Sequence, residues 1–89
     1  MKQITLAFDI SPKHLGYDEA ADLRREISEQ LDKALKDAGI GKWKGGTCKF
    51  DSMEIFLAVA DPDKAVEIIQ YALADHWTFP MMKISSPTP

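Results

Sequence analysis

A chain of 89 residues has room for one hydrophobic core, and its 45% apolar and 28% charged content is that of an ordinary globular domain. The formal net charge of −3 argues against nucleic acid or anionic lipid as a partner, because either requires a basic footprint. A single cysteine, Cys48, excludes an internal disulfide and a cysteine-built zinc site, and no run approaches the ~20 apolar residues needed to span a bilayer.

The opening segment KQITLAFDI alternates Ile4, Leu6, Phe8 and Ile10 with Gln3, Thr5, Ala7 and Asp9, which predicts a first strand with one greasy and one polar face. Only Lys2 is basic there and the apolar residues are not contiguous, so no signal peptide is expected. A cytoplasmic location follows as the expectation, with the lone cysteine in a reducing compartment. Pro12 and Gly16 then break the pattern. Asp18 is the expected cap of a first helix whose apolar residues Leu23, Ile27, Leu31, Ala34, Leu35 and Ala38 recur at helical spacing, leaving Arg24, Arg25, Glu29, Asp32 and Lys36 toward water. Gly39 suits the left-handed position that ends a helix, with Ile40 folding back on Leu35.

Residues 42–50 read as a short, irregular strand, since paired glycines weaken a strand and suit a bulge. SMEIFLAVA is a clearer strand, with Met53, Ile55, Leu57 and Val59 on one face and Glu54, Phe56, Ala58 and Ala60 on the other, and Asp51 and Ser52 can make the hairpin. Asp61 caps a second helix with Pro62 at its first position, expected to run to about Trp77 along the stripe Ala65, Val66, Ile69, Ala72, Leu73. MMKIS forms a last strand after Pro80, closing a single domain over 1–85, and 86–89 read as a loose tail.

The order strand, helix, strand, strand, helix, strand predicts an α+β fold of the ferredoxin-like βαββαβ type, a four-stranded antiparallel sheet with two helices on one face. The layout, with GGT ahead of MEIFLAVADPDKA, resembles small bacterial α+β proteins of this ferredoxin-like arrangement that carry no assigned activity. The resemblance implies a fold; a role as an immunity-type protein that neutralises a toxin would suit so small and acidic a chain.

Gly41 and Gly46 have the spacing of a phosphate-binding loop. Thr47 nevertheless occupies the place of the lysine that reaches the terminal phosphates, and the stretch leaves a helix for a strand, so no helix N-terminus faces an anion. A tight turn or bulge is the expected role. Lys42, Lys44 and Lys49 make this the one locally basic stretch, with Trp43 between two of them; it reads either as a docking anchor or as an aromatic closing the core while lysines guard a strand edge. On the sheet face away from the helices, Thr5, Ala7, Glu54, Phe56 and Ala58 form a small-residue platform with one aromatic, unlike the basic, multi-aromatic sheets that stack RNA bases.

No catalytic set, metal site or cofactor is expected. His14 and His76 lack neighbours at metal spacing, and Asp61 and Asp63 are explained by helix capping. The sequence therefore predicts a non-catalytic protein-binding module, engaging a protein partner or a second copy of itself through Trp43, Lys42, Lys44, Phe56 and Glu54. The alternative is a small-molecule sensor or small enzyme with a site near the 41–50 stretch, using His14, Cys48 or Lys44.

Overall fold

The computed structural model describes residues 2–11, 16–49 and 51–85; His14, Phe50 and the tail at 86–89 lie outside them. Strand β1 (Lys2–Asp9), helix α1 (Tyr17–Asp37), strands β2 (Gly41–Cys48) and β3 (Ser52–Val59), helix α2 (Pro62–Leu73) and strand β4 (Met82–Ser85) follow one another along the chain. The four strands form one sheet in the order β2-β3-β1-β4, every neighbouring pair antiparallel. This is the ferredoxin-like βαββαβ arrangement expected from the sequence.

Side-chain parity decides the core. Ile4, Leu6 and Phe8 of β1 pair in register with Leu57, Ile55 and Met53 of β3, and all six are buried. From above, Ala20, Leu23, Ile27, Leu31 and Leu35 of α1 and Ala65, Ile69 and Leu73 of α2 close the same cluster. Each large aliphatic side chain enclosed in this way contributes about 1.5–3 kcal/mol.

The end of α1 follows its sequence signals. Gly39 adopts φ 70°, its N–H bonds the Lys36 carbonyl at 3.0 Å, and the Ile40 N–H bonds the Leu35 carbonyl at 3.1 Å. Those paired bonds satisfy carbonyls that the helix leaves open and direct the chain into β2. Asp61 caps α2 as expected, its carboxylate accepting from the Lys64 N–H at 3.3 Å.

Three expectations are corrected. Gly16, not Asp18, is the N-cap of α1; Asp18 sits inside the first turn, where a negative charge still favours the helix dipole. Helix α2 ends at Leu73 instead of near Trp77, because the Ala72 carbonyl accepts from the Gln30 side chain of α1 at 2.7 Å while the His76 N–H turns to Leu73. A tertiary bond has taken the place of the helical one that the His76 N–H would make to Ala72. Met81 likewise belongs to a 3-10 turn, Phe79–Met81, and β4 begins one residue later.

Candidate functional site

Opposite the helices, the sheet presents Thr5 and Ala7 of β1, Phe56 and Ala58 of β3, and no element among the described residues covers them. Phe56 stands across from Thr5 on one side and Gly45 on the other, so the ring has a small polar neighbour and a bare backbone beside it. It is only half-buried. Gly45 takes φ 156° just after the irregularity that opens between Trp43 and Gly45, where Lys44 is the extra, unpaired residue of a β-bulge.

The bulge turns Lys44 over the open face. Its ammonium reaches the Gln3 side-chain oxygen at 3.4 Å, although β3 lies between β2 and β1, and Gln3 in turn donates to the Thr5 hydroxyl at 3.4 Å. Lys42 shares this side, paired with Ala58, and the Thr47 hydroxyl approaches Glu54 at 3.4 Å. These polar contacts sit at the long limit of hydrogen-bond geometry, so each is held weakly. At the far end Asp9 has its carboxyl held below the usual range, by hydrogen bonds from the Ser11 side chain and backbone and by the charge of Lys83.

Of the five residues expected at an interface, Lys42, Lys44, Glu54 and Phe56 are brought together on this face. Trp43 is not. In register with Leu57, it points to the helix side of the edge strand, where its indole is 40% exposed. There it faces Ala21, Arg24, Ser28, Glu29 and Asp32 of α1 across a groove of about 470 Å³. The expectation that Arg24 and Asp32 turn to water is corrected: both are partly buried against this edge.

Asp32 also satisfies the edge strand. Its carboxylate accepts from the Trp43 backbone N–H at 2.8 Å and pairs with Lys36 at 2.9 Å. The Trp43 amide, followed by Lys36, holds the Asp32 carboxyl below the usual carboxylate range. A depressed folded-state pKa stabilises the fold above the unfolded value of about 3.9 and loses that contribution as the pH falls through the folded value. Stabilities of wild type and Asp32→Ala from urea unfolding are therefore expected to differ at neutral pH, by about 0.5–1 kcal/mol, and to converge as the pH falls through the folded value. A gap that persists in acid would show that the carboxylate is not what holds the edge.

Cys48 lies on the helix side, opposite Met53, half-buried against the core. His76 is placed beyond the end of α2 instead of in its last turn: its Nδ1 accepts from the Thr78 N–H at 3.2 Å and lies 2.7 Å from the Thr78 hydroxyl, while its ring stacks on Trp77. With Nδ1 accepting, Nε2 carries the proton, and it faces Glu26 at 3.7 Å. This arrangement locks the turn into β4.

Among the described residues no three His, Cys, Asp or Glu side chains are grouped to hold a metal, and no helix is long and apolar enough to cross a membrane. No protein-family model matches the chain, and no curated protein matches it. Sequence reasoning missed the groove residues Ser28 and Arg24. Their signal was the line Ala21, Arg24, Ser28, Asp32 at helical spacing, one step from the core stripe.

Proposed function

We propose that this chain is a non-catalytic protein-binding module whose contact surface is the uncovered sheet face around Phe56. The observation that carries the reading is an aromatic ring half-exposed between Thr5 and Gly45, on a face rimmed by Lys42, Lys44 and Glu54 and left open by its own helices. A flat, small-residue surface admits another chain closely, the aromatic supplies most of the contact area, and the rim charges set register and orientation. The partner is a second copy or a different protein, and an immunity-type or regulatory role in a bacterial cytoplasm is consistent with a small acidic chain.

Phe56→Glu is the decisive variant. It should abolish association measured by light scattering and by pull-down of interacting proteins, while circular dichroism and the melting transition stay close to wild type because the ring is outside the core. Unchanged association in Phe56→Glu and in the Lys42→Ala, Lys44→Ala double variant, with the fold intact, would rule this surface out.

A second reading, a small-molecule sensor with its site beside the 41–50 stretch, is favoured by the groove between Trp43 and α1. It occupies the opposite side of β2, so the two readings stand or fall separately.

A further inference from the structure

We infer that the groove between Trp43 and α1 is a binding site for a small planar monocarboxylate, its flat body against the indole and its carboxylate directed to Arg24 and Ser28. The proposal deepens the sensor reading and is independent of the sheet face.

Two polar atoms carry it. The Ser28 hydroxyl and the Arg24 Nε are buried and have no hydrogen-bond partner among the described residues, and both residues line this groove. Ser28 is only 3% exposed. A buried hydroxyl without a partner is costly to a fold, as is an enclosed guanidinium N–H, and such a group calls for a ligand, an ion or an ordered water to complete it. Nothing in the helix requires serine at this position, where alanine has the higher helix propensity.

The remaining charges narrow the ligand. Arg25 is engaged by Asp22 at 2.6 Å, and Asp32 is engaged by the Trp43 amide and Lys36. That leaves Arg24 and Glu29 as the uncommitted charges of the lining among the described residues. The Arg24 Nε is buried and Glu29 is exposed, so a guanidinium N–H lies inside the groove and the anionic group stands at its rim. A single carboxylate directed inward meets the guanidinium fork, the geometry that arginine recognises best. A phosphate or a second carboxylate would meet Glu29 and Asp32, which disfavours nucleotides and polyanions. Trp43 supplies the apolar wall, and a groove of about 470 Å³ is within the range of small-molecule sites. An aromatic acid satisfies all three features at once.

The test is a titration of the isotope-labelled full chain with 2-naphthoate, followed by the indole N–H resonances of Trp43 and Trp77. The Trp43 signal should move and saturate, the Trp77 signal should not, and 2-naphthalenemethanol should bind at least about tenfold more weakly, as expected for loss of a charge-assisted bond. Arg24→Gln should weaken naphthoate by a similar factor while Arg25→Gln does not. Ser28→Ala should weaken it too, and should raise Tm by a few degrees, because it removes a hydroxyl without a partner. No movement of Trp43 at millimolar naphthoate would overturn the site. Tighter binding of 2-naphthylmethylammonium would overturn the charge assignment, and would leave the groove itself as a site for a cation. A lower Tm for Ser28→Ala would show that the hydroxyl is satisfied in solution and would remove the observation on which the inference stands.

Discussion

Gly46→Ala is expected to destabilise the protein by roughly 2–4 kcal/mol, in the range that steric overlap with backbone produces. A Cβ at this position would fall inside contact distance of the Glu54 carbonyl oxygen on β3, and behind it stands the Ile55 backbone. Neither neighbour is a flexible side chain that can swing away. Relief requires β2 to separate from β3 where Gly46 pairs with Ile55, and that pairing also positions Cys48 and Trp43. Urea denaturation should show a lower midpoint with an unchanged slope, and hydrogen exchange should rise in β2 more than in β1. The glycine is therefore required for close strand approach. A change within about 0.5 kcal/mol would mean that the hairpin is paired in another register.

Leu6→Ala is expected to cost about 3–4 kcal/mol, the cost of deleting a leucine where the surroundings cannot collapse into the cavity. Leu6 is fully buried, sits on the central strand and has Ile55 opposite it on β3 and Ile84 opposite it on β4. For a small domain whose whole stability is of order 5–10 kcal/mol, that is a large fraction. Phe56→Ala supplies the contrast: its larger side chain lies on the uncovered face, and its loss should cost less than about 1 kcal/mol. Equal penalties for the two variants would mean that something covers the second face as thoroughly as the helices cover the first, and light scattering on the same samples would show whether that cover is another copy.

Much of the architecture was readable without coordinates, because local rules settle it. Ile4, Leu6 and Phe8 at period two, Gly39 followed by Ile40, and Asp61 before Pro62 each act through neighbours in the chain, and each appears in the structure where the sequence places it. The misplaced boundaries have tertiary causes. Gln30 reaches Ala72 across the helix pair, a bond between residues 42 apart that no window along the chain reveals, and it ends α2 before His76. The site was legible to the extent that strand parity is legible: Phe56, Glu54 and Lys42 share a face because alternation puts them there. Trp43 was harder, because a bulge at Lys44 shifts the parity of β2 partway along its length.

What the sequence by itself determined was the order of elements and the faces of β1 and β3 that enter the core, since both depend on spacing between near neighbours. Only the tertiary structure decided that Lys44 crosses to Gln3, that Asp32 satisfies the edge strand and that Trp43, Arg24 and Ser28 enclose a groove. Those contacts depend on how far α1 stands from β2 and on which way a bulged backbone turns, distances and directions set by packing of the whole core.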